Sequence, residues 1–255
     1  MKLSGKLRAR VLAQEWVIGT FLNLGSPLTA ELAGLTGFDW VLIDHEHGPG
    51  GEDTLLHQLQ AVAATPAAAI VRIAANEAPR FKRALDMGAQ GIMVPYVSTA
   101  AEAQATVSAM RYPPRGQRGV AKVVRAAGFG ADFEEYYQHA HEWLLNITQI
   151  ETADAVANID GIAAIDGVDV LFVGPTDLTY NLGIRDQFDH PDFLRAIERV
   201  GAAARKHGKA AGILVHNPAL VAKCREWGFT FVALGSDGGF VRTGLQQALA
   251  TLRGK

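Results

Sequence analysis

The chain has a single cysteine, no long apolar run and no excess of either charge, and each shortage removes a class of function. Cys224 has no second cysteine to pair with, which excludes an internal disulfide and argues against a secreted, cross-linked scaffold. No stretch reaches the roughly 18 uninterrupted apolar residues of a membrane span. The opening segment, residues 1–11, is charged and lacks the apolar core of a signal peptide, so a soluble, cytoplasmic protein is expected. With 24 Lys and Arg against 26 Asp and Glu, the formal charge is −2, and nothing favours nucleic acid or an anionic membrane as a partner. There is also no linker and no low-complexity tract. What is present is 255 residues of which 49% are apolar, enough for one full core. Small-molecule chemistry is the field that remains.

Eight strand-like apolar segments recur, over residues 16–24, 38–44, 67–74, 91–97, 144–151, 168–173, 209–215 and 230–234. Between them run segments with apolar residues at helical spacing, such as "SPLTAELAGLTG", "EAPRFKRALDMGA", "ADAVANIDGIAAI" and "NPALVAKCREWG", several opening on Ser, Asn or Thr and several closing on Gly. Continuous apolar strands alternating with helices predict a parallel sheet covered on its outer face. Eight such units in this length predict an α/β fold of one (β/α)8 TIM-barrel domain over residues 1–255. A doubly wound open sheet is the rival, and its dinucleotide-binding form is poorly supported because no GxGxxG follows the first strand. The regularity fails once, between the fourth and fifth strands. There a long insertion at about residues 114–143, rich in Gly, carries a helix expected over residues 132–143.

Active sites of such barrels lie at the C-terminal ends of the strands, so the ionisable residues there can be collected before any function is assumed. The second segment, "FDWVLIDHEHGPG", runs from an apolar strand into Asp44, His45, Glu46 and His47. Such a cluster costs desolvation unless its members pair, bind something or face a wet cleft. Arg72 lies in the third strand, and Gln149 and Glu151, two apart, share a face at the end of the fifth. Asp177 follows the sixth. Ends of successive parallel strands are about 4.8 Å apart, so Glu151 and Asp177 repel unless one is protonated or a cation sits between them. Oxygen ligands of this kind suit Mg²⁺ or Mn²⁺. The alternative is that each carboxylate is a solvated helix cap. The turn "VGPTDL" can present backbone N–H groups to a carboxylate, or can be an ordinary turn and cap.

In this order and spacing, "IDHEHGP", "VRI", "TQIET" and "FVGPTDL" resemble the HpcH/HpaI aldolase family, the class II pyruvate aldolases of 4-hydroxy-2-oxo acid breakdown, 4-hydroxy-2-oxoheptanedioate aldolases of aromatic catabolism among them. The resemblance covers nearly the whole chain. It implies metal-dependent, reversible cleavage of a 4-hydroxy-2-oxo acid to pyruvate and an aldehyde, with Mg²⁺, Mn²⁺ or Co²⁺ as cofactor. Glu151 and Asp177 match the family's metal ligands, Arg72 the arginine on the 2-oxo acid, and Gln149 the glutamine beside the pyruvate. His47 and Asp44 match a histidine–aspartate dyad, and the turn Gly174, Pro175, Thr176 and Asp177 matches the carboxylate-binding backbone. The roles are chemically coherent. Loss of the aldehyde leaves an enolate, which a cation and a fixed guanidinium stabilise, and an imidazole oriented by a carboxylate can take the proton from the 4-hydroxyl.

The same resemblance assigns Asp86 as a catalytic aspartate often associated with a neighbouring subunit, and Val120 and Leu214 as apolar positions at the aldehyde end. The bland alternatives are a solvated helix residue for Asp86 and plain packing for the other two. His45 departs from the family pattern, in which many members have Gly or another small residue there. It either alters the pocket or is a surface side chain. "GSDGGF" resembles a barrel phosphate loop, but a barrel-closing turn is the preferred reading, and Cys224 reads as core. The family commonly assembles as a homohexamer, and the amphipathic terminal segment "FVRTGLQQALATLRGK" can pack on a second copy or on its own barrel. Two further functions compete: decarboxylation or cleavage of oxaloacetate or a larger 2-oxo or acyl-thioester substrate through the same enolate, and a barrel that only binds a 2-oxo acid.

Overall fold

The computed structural model describes residues 3–215 and 218–254, and within them each of the eight apolar segments is a strand. These are β1 (Val17–Leu22), β2 (Trp40–Asp44), β3 (Ala68–Arg72), β4 (Gly91–Val94), β5 (Leu145–Ile150), β6 (Val170–Val173), β7 (Ala210–Val215) and β8 (Phe229–Ser236). They pair in parallel and in chain order, and β8 pairs with β1, so the sheet is a closed barrel. The helix α1 (Lys6–Leu12) precedes β1, and α2 (Pro27–Leu35), α3 (Glu52–Val62), α4 (Ala78–Asp86) and α5 (Ala100–Met110) follow the first four strands in turn. The long connection carries a short 3-10 helix, Arg125–Gly130, then α6 (Phe133–Trp143). After β5 come α7 (Ala153–Ala157) and α8 (Ile159–Ala163), after β6 α9 (Pro175–Asn181) and α10 (Pro191–Lys206), then α11 (Leu220–Glu226) and finally α12 (Asp237–Leu252). Asn217 and Lys255, at the edges of two segments expected to be helical, lie outside the described residues. Among the described residues no helix is long and apolar enough to cross a membrane.

Local chemistry explains where the helices begin. Ser26 accepts from Thr29 N–H ahead of Pro27 at the start of α2, and Thr99 forms a reciprocal capping box with Glu102 at the start of α5. Residues 153–165, expected as one helix, are two, because Asn158 leaves helical geometry between α7 and α8. The helix α1 was not anticipated. It is short and charged, and it forms against the rest of the fold: Leu7 and Val11 join the barrel's interior cluster, and Arg8 and Arg10 pair with Asp169 and Asp39 just before β6 and β2. It therefore closes the N-terminal end of the barrel.

Strand side chains alternate, and the inward set is continuous from strand to strand. Trp40 and Leu42 of β2, Ala68 and Ile70 of β3, Leu145 and Ile147 of β5, Val170 and Phe172 of β6 form one buried interior cluster. Val41, Ile43, Ala69 and Val71 belong to the outer layer against the helices. Trp40 stacks on Phe231 with ring centroids 4.2 Å apart, and a Cβ on Gly19 of β1 would overlap the indole, so glycine makes room for the largest interior side chain. Continuing the inward parity by one more residue per strand reaches the open end.

Candidate active site

That next inward position is Asp44 on β2, Arg72 on β3, Gln149 on β5, Gly174 after β6, Leu214 on β7 and Gly235 on β8. All six line a cavity of about 540 Å³ at the C-terminal mouth, with Phe21, Asn23, His47, Phe172, Pro175, Thr176, Asp177, Ser236 and Gly239. Asp44 and Arg72 are register partners on adjacent strands. Their side chains meet as a bidentate pair, Nε donating to Oδ1 at 2.9 Å and Nη2 to Oδ2 at 2.7 Å. Arg72 Nη1 lies 3.0 Å from Glu46 Oε2, and its guanidinium sits 5.4 Å over the Phe21 ring. The cation is thus held on two sides by carboxylates and from below by an aromatic face. Burial pushes the Asp44 pKa up, but the hydrogen bonds and charge of Arg72 outweigh it and hold the carboxyl below its ordinary range. Burial dominates at Glu46, which is raised in spite of Arg72.

Glu151, just after β5, is 1% exposed. Its Oε1 accepts the Tyr96 backbone N–H at 2.7 Å and its Oε2 accepts from Gln149 Nε2 at 2.7 Å. Burial first, then Asp177 and Glu46, push its pKa up to about 8. Asp177 Oδ1 accepts from the Tyr96 hydroxyl at 3.1 Å. Burial and the neighbouring Asp177 push that phenol up to about 12, so it stays protonated as a donor. The amide oxygen of Gln149 is buried without a hydrogen-bond partner. A Cβ at Gly174 would overlap Glu151 Oε2, so the close approach of β5 side chains to the following turn requires glycine there.

The remaining expected residues fall in several places. His47 lines the cavity at its rim with a side chain 66% exposed, and its Nε2 is 3.8 Å from Glu46 Oε2. It does not form a side-chain dyad with Asp44 in this structure. Among the described residues, the Asp44 carboxylate is bonded to Arg72 and to the backbone N–H groups of Glu46 and His47. Strand register explains this, since Asp44 is beside Arg72 on the sheet while His47 is already in the turn. Leu214 lines the cavity, whereas Val120 is exposed on the long connection and is not part of the lining. Asp86 ends α4, which leaves the mouth, and pairs at 2.7 Å with the fully buried Arg118. His45 is half-buried on the outer side of the barrel, in a separate cavity with Glu52, Arg80 and Arg83. In "GSDGGF", Ser236 caps α12, while Asp237 accepts from Asn23 N–H and Thr29 Oγ1, joining β8 to the β1–α2 turn. Glu46 and Tyr96 stand at the mouth and carried no role in the reading of the sequence. Phe21, Phe172 and Asn23 could have been found by inward parity alone.

These features define a (β/α)8-barrel enzyme with its reacting centre at the C-terminal mouth. The family model described as HpcH/HpaI aldolase/citrate lyase matches residues 17–243, and the chain belongs to that family. It is accordingly a carbon–carbon lyase, the class of its aldolase relatives. It is 42% identical over 248 residues, 97% of this chain and 96% of the relative, to a 5-keto-4-deoxy-D-glucarate aldolase of Salmonella paratyphi C (strain RKS4594). A solved HpcH/HpaI aldolase/citrate lyase family protein of Burkholderia cenocepacia J2315 superposes with a TM-score of 0.94 at 38% identity, over 98% of this chain and all of that one. A citrate synthase, SbnG, superposes at 0.88 with 30% identity, covering 99% and 98% of the two chains.

Proposed function

We propose that this chain is a divalent-cation-dependent pyruvate aldolase that reversibly cleaves a 4-hydroxy-2-oxo acid into pyruvate and an aldehyde. The observation that carries the reading is the mouth itself, where a buried, doubly paired Arg72, the Asp177 carboxylate and the Gln149 amide line a cavity of about 540 Å³, with the Glu151 carboxylate bonded to Gln149. The donor set fits a hard cation: Glu151 and Asp177 are oxygen ligands, and the buried Gln149 amide oxygen has no partner. Among the described residues no three His, Cys, Asp or Glu side chains are grouped to hold an ion by themselves. Two carboxylates leave coordination positions for substrate and water, with Mg²⁺, Mn²⁺ or Co²⁺ as the ions to test. When bound, such a cation supplies Lewis-acid polarisation of the 2-oxo group.

The chain's own groups then divide the work. The turn Gly174–Pro175–Thr176–Asp177 receives the substrate carboxylate, and Gln149 and Arg72 hold the 2-oxo end. Removal of the 4-hydroxyl proton lets the C3–C4 electrons move to the 2-oxo oxygen as the aldehyde carbonyl forms, and Arg72 faces the charge that develops there. His47, on the rim, is the base, acting directly or through water, and Asp44 serves it by fixing the turn and Arg72. Protonation at C3 then gives pyruvate. The far end of the cavity, with Asn23, Ser236 and two glycines beside Leu214, is polar and uncharged. Asn23 and Ser236 can hydrogen-bond the hydroxyl of a short aldehyde fragment, such as the hydroxylated aldehyde acid that a substrate like that named for the Salmonella relative would release.

A second copy of the chain completes the assembly in this reading. It would cover the apolar stripes of α2 and α12, and would receive Asp86 and Val120, which stand away from the mouth of their own barrel. The test of the activity is pyruvate in D₂O, with methyl-proton exchange followed by NMR after EDTA and after restoring Mg²⁺, Mn²⁺ or Co²⁺. Cation-dependent exchange is expected. No exchange with any cation would sink the aldolase reading and favour larger 2-oxo or acyl-thioester substrates, while release of CO₂ from oxaloacetate without aldehyde would make the enzyme a decarboxylase.

A further inference from the structure

Glu151 and Asp177 reach the mouth from different segments, one at the end of β5 and the other in the first turn of α9, and when both are ionised they repel. A third segment spans them. After β4 the chain passes through Pro95 to Tyr96, which adopts the left-handed conformation with φ 53°. That region is disfavoured for any residue with a Cβ, and bulky side chains adopt it where the surroundings hold them there. Packing does not supply the hold, because Tyr96 is 53% exposed. Two hydrogen bonds do, and both end on carboxylates: the backbone N–H on Glu151 at 2.7 Å and the phenol O–H on Asp177 at 3.1 Å.

We propose that Tyr96 is the positioning residue that clasps Glu151 and Asp177, setting their relative orientation and hence the affinity of the mouth for a divalent cation. The inference rests on the reading of those two carboxylates as cation ligands. Glu151 has a second anchor in the Gln149 amide, whereas the Asp177 carboxylate is steadied, among the described residues, by the phenol. A carboxylate already oriented through one oxygen loses less freedom when its other oxygen takes a cation. Partners of this outer kind typically change metal affinity by about 10- to 100-fold when removed. The left-handed backbone is part of the device, since it lets one residue present its N–H and its hydroxyl to two different carboxylates.

The experiment uses the full chain stripped with EDTA, titrated with Mn²⁺ by calorimetry and by the electron paramagnetic resonance signal of free Mn²⁺. Tyr96→Phe deletes only the hydroxyl, and Tyr96→Gly removes the ring while suiting the left-handed backbone. Both variants are expected to bind Mn²⁺ about 10-fold more weakly, with the melting temperature of the cation-free Phe variant unchanged. Affinity of Tyr96→Phe equal to that of the unaltered chain overturns the role of Tyr96 and leaves the cation site standing. A loss of affinity accompanied by a lowered cation-free melting temperature in Tyr96→Phe makes the effect a folding defect and overturns it also. If the unaltered chain takes up no Mn²⁺, both the clasp and the cation site fall.

Discussion

A carboxyl group 1% exposed beside two other carboxyls has two stable states: it keeps a proton or it meets a cation. Glu151 is in that position, and its pKa of about 8, against an ordinary 4.5, measures the conflict. The sign of the consequence follows from proton counting. Between those two values the folded chain holds a proton that the unfolded chain has released, so the cation-free protein loses stability as pH rises through that window and levels off above it. Glu151→Gln keeps the shape without the titration, and its Gln149 neighbour can turn its unpartnered amide oxygen to accept the new N–H. Melting temperatures in EDTA across that window are expected to slope downward for the unaltered chain and to run flatter for Glu151→Gln. Equal slopes would show that Glu151 titrates normally. Cation binding below pH 8 should also expel a proton, visible as a buffer-dependent heat.

At the scale of elements, the site is a property of strand parity. The same alternation that sends Trp40 and Leu42 inward sends Asp44 to the mouth, and Ile70 is followed by Arg72 and Ile147 by Gln149 in the same way. Gly174 carries no side chain in this ring because Gln149 and Glu151 lean across from β5. Gly174→Ala should therefore push Glu151 aside, costing about 1–3 kcal/mol of stability from overpacking and slowing pyruvate exchange by about 100-fold through misplacement. Exchange at the unaltered rate, measured beside urea unfolding, would mean that the turn has slack. Parity also explains what could be read without coordinates. The eight strands were legible because each is a nearly continuous apolar run, and the acid cluster after β2 because buried strands do not ordinarily end in four ionisable groups. The partner of Asp44 was not legible, because register between β2 and β3 is set by the closed sheet and not by either segment alone. Nor were α1 and Tyr96. One forms only against the barrel floor, and the other owes its backbone conformation to carboxylates 55 and 81 residues away.

At the scale of the molecule, one copy leaves apolar helix faces exposed. The helix α12 has 16 residues of which only Asp237 is buried, and Val241, Leu245, Leu249 and Leu252 follow one another along its exposed side. On α2, Leu28, Leu32 and Leu35 form a second exposed stripe at helical spacing. Each such side chain gains about 1.5–3 kcal/mol when fully buried, so covering both stripes is a substantial drive to association. Light scattering is expected to give a multiple of the chain mass, reduced by the double substitution Leu245→Glu with Leu249→Glu. A single-copy mass for the unaltered chain would remove the assembly from the reading. Asp86 gives the sharper test. It lies at the far end of α4, pinned by Arg118, while Arg72 lies in the mouth of its own barrel. If Asp86 serves the mouth of a neighbour, Arg72→Ala and Asp86→Ala chains are each inactive alone. Mixed and reassembled, they should regain part of the activity, because some mouths then receive an intact Arg72 from one chain and an intact Asp86 from the other. Mixtures that stay inactive although light scattering shows hybrid assemblies would confine every working residue to a single copy.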